Sequence, residues 1–174
     1  MARRLKAPAP GGDGAAVALT PQEWRAAMGS FPSGVTIVTT WDAGAPIGTT
    51  ASSLCSVSLE PPLLLVCLGH ANPALAPIER SGLFGVNILS AECVDLAMRF
   101  ATNPEDDRFA AIPYRAVEGG APELDAATVF IDCVLEQAHG AGDHKIVVGR
   151  GVRISHKSPA PPLLYHKGSF PSRF

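Results

Sequence analysis

The run Leu63-Leu64-Leu65-Val66-Cys67-Leu68 constrains the chain more than any other stretch. It is apolar on both faces and far too short to cross a bilayer, so it belongs in the middle of a sheet or barrel. Other segments carry strand signals as well. Val35 to Trp41 is rich in β-branched residues, and Asp42-Ala43-Gly44 turns it into a second strand starting near Pro46. Phe84 to Leu89, Ile146 to Ile154 and Leu163-Leu164-Tyr165 read the same way. Val129, Ile131, Cys133 and Leu135 alternate with more polar neighbours, the pattern of a half-buried strand. Gly149 and Gly151 mark bends or close backbone approach.

Helical signals are fewer. Thr20-Pro21-Gln22-Glu23 is a capping box with proline at the first helical position. Trp24, Ala27, Met28 and Phe31 follow at helical spacing, which predicts a stripe facing the core. Asn72-Pro73 starts a short helix ending around Ser81-Gly82. Ser90 is read as the cap of a helix carrying Val94, Leu96, Ala97 and Met98 to Phe100. A polar loop runs from Asn103 to Arg108. Roughly six or seven strands with three short helices, in no regular alternation, predict a mainly β fold built on a closed or partly closed antiparallel barrel.

With 174 residues, 47% of them apolar and 17% charged, the chain suits one globular domain. Residues 1 to about 18 are Ala, Gly and Pro with a few charges and read as a disordered tail, leaving 19–174 as the domain. The net charge is -2 and the basic residues are scattered, which argues against nucleic-acid binding, and a membrane-surface role has as little support. Arg3, Arg4 and Lys6 precede Pro, Gly and Ala rather than the apolar stretch of a signal peptide, so neither a secretory nor a twin-arginine signal is read. Cys55, Cys67, Cys93 and Cys133 lie far apart with no CxxC pair, and three of them sit in apolar segments as small hydrophobes. That usage predicts the cytoplasm.

The familiar catalytic motifs are missing. No GxGxxG, P-loop or GxSxG occurs, and the five histidines form no HExxH or similar set, so no metal is expected. Weaker features remain. Thr49-Thr50-Ala51-Ser52-Ser53, followed by Ser56 and Ser58, packs small hydroxyl-bearing side chains into one window. Such a window lets a flat polar ligand approach the backbone and bond along its rim. Taken alone, it is better explained as a Ser/Thr-rich strand end. Ser33-Gly34 offers backbone donors to a phosphate, or is a plain turn. Asn72-Pro73 presents amides to an anion, or simply caps a helix. Gly142-Asp143-His144 places a histidine beside an acid, either for a ligand or as a hairpin turn. Arg108-Phe109 pairs a cation with an aromatic on a loop, and is also an ordinary solvated arginine.

Together these pieces resemble the flavin reductase-like domain family. The resemblance is carried by 24–40 (WRAAMGSFPSGVTIVTT), 48–62 (GTTASSLCSVSLEPP) and 84–89 (FGVNIL). Asp107-Arg108-Phe109, Gly142-Asp143-His144 and Pro162-Leu163-Leu164-Tyr165 then follow in the family's order. It implies a Greek-key split β-barrel of the FMN-binding type, usually a homodimer with its site near the subunit interface. It implies an NAD(P)H-dependent flavin reductase that passes hydride from NADH or NADPH to FMN or FAD. Reduced flavin would go to a separate monooxygenase component.

Carried onto this chain, Ser33, Gly34 and Thr36 lie near the flavin phosphate or ring, and Thr49, Thr50, Ala51, Ser52, Ser53 and Ser56 line the isoalloxazine rim. Asp143 and His144 fall on the nicotinamide side, with Tyr165 and Phe170 near the pocket. Asn72 and Arg108 complete the cofactor-binding set. Many members carry Ser or Thr where this chain has Asn72-Pro73-Ala74, and the Gly168-to-Phe174 ending departs from the commoner Gly-Arg-Tyr. No side chain is expected to be essential for the hydride step, with His144 positioning the nicotinamide. The alternative on the same barrel is a non-catalytic flavin- or haem-binding carrier or sensor.

Overall fold

A computed structural model describes residues 19–104, 108–157 and 159–171. The tail reading for residues 1–18 and part of the 103–108 loop lie outside these.

The chain opens with α1 (Pro21–Gly29), then β1 (Ser33–Gly34), β2 (Thr36–Asp42), β3 (Ala45–Ala51), β4 (Cys55–Leu59) and β5 (Pro62–Gly69). Next come α2 (Leu75–Ser81), β6 (Leu83–Leu89), a 3-10 turn at Ala91–Cys93, and α3 (Val94–Thr102). Short β7 (Tyr114–Arg115) and β8 (Glu123–Leu124) precede the long hairpin of β9 (Ala127–Ala141) and β10 (His144–His156), and β11 (Leu164–Tyr165) closes the set.

Seven strands form one antiparallel sheet in the order β3-β2-β6-β9-β10-β5-β4. The sheet curls until β3, one edge, touches β5 near the other. Ser53 stitches the seam there. Its Oγ donates to the Cys67 carbonyl and accepts from the Cys67 amide, both at 3.0 Å. The result is the split barrel that the resemblance implies.

Inside it, Val38, Val66, Leu68, Phe84, Val86 and Val147 form the main core. A second core, around Ile37, Leu89, Phe100 and Leu124, lies where α3 covers β2 and β3. The close approach read from Gly149 is real: a methyl there would meet the Phe84 ring at 2.3 Å. Register shifts fall between Val148 and Gly149 and between Gly151 and Arg153.

Several expectations need correction. The α1 stripe does not face the core. The capping box forms as expected, but no α1 residue is buried, and Trp24, Met28 and Phe31 are 57%, 51% and 72% exposed. The Leu63–Leu68 strand lies between β10 and β4 and alternates: Leu64, Val66 and Leu68 are buried, whereas Leu63, Leu65 and Cys67 are half-buried.

In β9 the alternation reads only one of two covered faces, since Phe130 and Asp132 are buried as well. The cause is the 120–124 segment, which folds over the outer face. Thr39 Oγ1 donates to Pro122 O, the Ala121 amide to Asp132 Oδ1, and the Leu124 amide to Asn87 Oδ1. Buried Glu123 pairs with Arg115 and Arg153. The helix after Asn72-Pro73 starts at Leu75, and the Ser90 hydroxyl makes no cap bond, lying instead near Cys93 Sγ.

Candidate functional site

An open cleft of about 970 Å³ lies between α1, the end of β3, the β11 turn and the tip of the β9–β10 hairpin. It draws Ser33, Ser52, His144 and Tyr165 together from four separate parts of the chain. Short β1 pairs with β11, Ser33 opposite Tyr165 and Gly34 opposite Leu164, which sets the floor. A Cβ built on Gly34 meets nothing within 4 Å, so the backbone there is open to a ligand. Tyr165 lies 5.4 Å from Phe170, centroid to centroid, and Phe170 packs on the second core, so the tyrosine has a firm backing.

At the hairpin tip Gly142 takes φ +65, the left-handed turn a glycine tolerates best, and delivers His144 opposite Gly69 of β5. His144 Nδ1 is 2.7 Å from Asp143 Oδ1. That bond to His144, with the charge of His144 behind it, holds the Asp143 carboxyl below its usual pKa. The carboxylate therefore stays charged into mildly acidic solution and orients the ring, leaving Nε2 as the atom free to meet a ligand.

The hydroxyl block is employed differently from a simple rim of donors. Thr36 is buried and donates to Ala51 O at 2.9 Å, and Thr50 donates to Ala97 O at 2.6 Å. Thr49 accepts from Asn72 Nδ2 at 3.1 Å, while Asn72 Oδ1 takes the Ala74 amide. Ser53 is committed to the seam, and Ala51 is buried. Of this block only Ser52 opens into the cleft, so a ligand lying along it meets main chain more than hydroxyls.

Ser56 faces a different place, a groove of about 650 Å³ lined by apolar residues such as Leu59, Ile131 and Ile154. Arg108 is bound to the carbonyls of Gly48 and Asn103 and braces β3 from outside the cleft. Trp24, Arg25, Phe31 and Lys167 line the cleft without having been singled out as ligand-binding residues. The helical spacing of Trp24 and Phe31 signalled a shared face but not which way it turns. Among the described residues no cluster of metal-ligating side chains occurs, and no helix is long and apolar enough to cross a membrane.

Comparison with known proteins agrees with this fold. Residues 28–172 match the flavin reductase like domain. The chain is 40% identical over 161 residues to the flavin-dependent monooxygenase reductase subunit HsaB of Rhodococcus jostii, covering 91% of this chain and 82% of that one. It is 36% identical over 154 residues to a flavin reductase of Pseudomonas putida, covering 88% and 90%. Among solved structures, the Streptomyces globisporus C-1027 NADH:FAD oxidoreductase SgcE6, in complex with NAD and FAD fragments, superposes with a TM-score of 0.82. It is 31% identical, with 91% of this chain and 97% of that one covered. A match across most of the chain, on a split barrel whose cleft unites the residues of the shared motifs, makes this protein a member of the flavin reductase-like domain family.

Proposed function

We propose that the chain is an NAD(P)H:flavin oxidoreductase that reduces FMN or FAD and releases the product to a separate monooxygenase component. The observation that carries this reading is the cleft joining Ser33, Ser52, His144 and Tyr165. Its volume lies at the top of the range for small-molecule sites, enough for a flavin with a nicotinamide beside it. Its walls combine Ser33 and Ser52 with an aromatic at Tyr165, and the backbone of Gly34, next to Ser33, is unobstructed, which fits a flat, polar-edged ring system. When bound, the flavin supplies the hydride acceptor and the nicotinamide the donor.

The protein's own contribution is placement. Main chain and the Ser52 hydroxyl hold the ring edge, Ser33 and Gly34 offer donors to a phosphate, and Tyr165 gives a face to stack on. His144, steadied by Asp143, hydrogen-bonds the nicotinamide side. Tight pairing of two flat rings in the right geometry, rather than proton transfer by a side chain, is what the site provides. Hand-over to an oxygenase is supported by relatives that are themselves reductase subunits of monooxygenases. We further place the chain in the cytoplasm, as a homodimer joined through the apolar groove between β4 and β10. There Leu59, Val152 and Ile154 stand exposed.

The test is NADH and NADPH oxidation with FMN, with FAD and with no added flavin. Flavin-dependent oxidation is expected, and His144→Ala should raise KM for the nicotinamide about tenfold with a smaller change in kcat. Pigment that survives purification without any NAD(P)H oxidation would sink the enzymatic reading, and an unchanged KM in His144→Ala would remove that residue's role.

A further inference from the structure

The α1 wall of the cleft carries features that flavin-ring binding leaves unused. Arg25 and Lys167 both line it, and neither side chain is engaged by any hydrogen bond or ion pair. Every other described arginine and lysine is held. Some sit in ion pairs such as Arg80–Asp42 and Lys145–Glu79, others on backbone carbonyls as Arg108 and Lys157 do. The two uncommitted cations thus share one cleft.

The segments that carry them are also joined through the backbone. The Lys167 amide donates to the Gly29 carbonyl at 2.9 Å, and Gly29 lies four residues beyond Arg25. Residues at that spacing share a helix face about 6 Å apart along the axis. Among the described residues no Asp or Glu lines the cleft to neutralise them. Glu23 sits two residues before Arg25, on the nearly opposite side of the helix, and accepts the Thr20 amide; Asp143 is bonded to His144. Beside the cations stand Trp24 and Phe31, two large aromatics exposed on the same wall.

Two uncommitted cations lining one cleft, one on α1 and one on the turn bonded to the end of α1, suit a diphosphate, and an exposed indole with a phenyl suits a stacked base. We propose that this wall is a subsite for the adenosine diphosphate half of a dinucleotide, with Arg25 and Lys167 on the phosphates and Trp24 or Phe31 against the adenine. The inference rests on the flavin reductase reading and deepens it. That half is common to FAD and to NADH and is absent from FMN, so the subsite sets which cofactors the cleft prefers.

The probe is ADP, titrated by calorimetry against the full chain with no flavin or NADH present. Arg25→Ala sits on an exposed helix that alanine favours. Lys167 has φ +48, so Lys167→Asn removes the charge while keeping a residue that tolerates the left-handed turn. Wild type should bind ADP, and each variant should weaken it at least tenfold with the thermal midpoint unchanged. Arg25→Lys should recover part of the loss. KM values then identify the source: a rise for FAD alone assigns the subsite to the flavin, a rise for NADH alone to the donor. ADP binding that is absent in wild type, or within twofold in both variants, overturns the subsite. If wild type still oxidises NADH with added flavin in that case, the enzymatic reading stands without it. If it oxidises no NADH with either flavin, the enzymatic reading itself falls.

Discussion

Replacing Gly149 by alanine measures how tightly β10 is laid on the core. The added methyl would lie 2.3 Å from Cζ and 2.6 Å from Cε1 of Phe84, and 3.1 Å from Cβ of Cys133. Carbon atoms normally touch at about 3.5–4.0 Å, so the ring has to retreat by roughly 1 Å. It has nowhere to go, being fully buried among Val66, Val86 and Val147. Overpacking of this kind costs about 1–3 kcal/mol. Working the other way, losing a glycine stiffens the unfolded chain and returns about 0.4–1 kcal/mol.

Gly151 separates the two effects. A methyl there meets only Ile131 Cγ2 at 3.6 Å and Pro62 O at 4.0 Å, ordinary contact. Gly151→Ala therefore carries the unfolded-state gain without the clash. The two variants should differ by about 1–3 kcal/mol, seen in urea as a lower midpoint for Gly149→Ala with an unchanged slope. Adding Phe84→Leu to Gly149→Ala shortens the obstructing ring and should show a favourable coupling in the double-mutant cycle. Equal midpoints for the two alanine variants, or no coupling with Phe84, would refute the reasoning.

Burial raises the Cys133 thiol to about pH 12, with the Asp132 charge adding to it, so at pH 8 it stays protonated and unreactive. A thiol-disulfide reagent at pH 8 should label exposed Cys55 quickly in the folded protein and Cys133 only after denaturant is added; equal native rates would contradict the packing. If the apolar groove joins two copies, wild type sediments at twice the chain mass of 18.1 kDa, and Ile154→Arg shifts it to the single mass. A wild type that sediments at 18.1 kDa at micromolar concentration would refute that assignment.

The longer strands were readable because each announces itself locally, whereas β1, β4, β7 and β8 were not read as strands. β-branched residues mark β2, alternation marks the inner face of β9, and Gly149 marks the place where β10 presses on Phe84. The outer face of β9 was not readable. Asp132 looks like a solvent-facing polar residue until the 120–124 segment covers it with the Ala121 amide and β10 brings Arg153 alongside. The cleft divides in the same way. Gly142-Asp143-His144 and Ser33-Gly34 are compact motifs, and each sends one residue, His144 and Ser33, to the cleft wall. The fate of the hydroxyls depends on partners far along the chain, Ala97 for Thr50 and Cys67 for Ser53, and no local pattern encodes those. Trp24 and Phe31 misled because a helical stripe specifies a common face without specifying what that face meets.

The attachment of α1 sets the mechanics of the cleft. The helix has no buried side chain, and among the described residues the Lys167-to-Gly29 bond is its one backbone tether to a strand turn. Segments so lightly moored exchange their amide protons through small local openings, at a fraction of the free energy needed to open the barrel strands beneath them. One side of the cleft is therefore a soft jaw on a rigid anvil. Its amides should exchange far sooner than those of β6 or β9, and a ligand that bridges both sides should slow them.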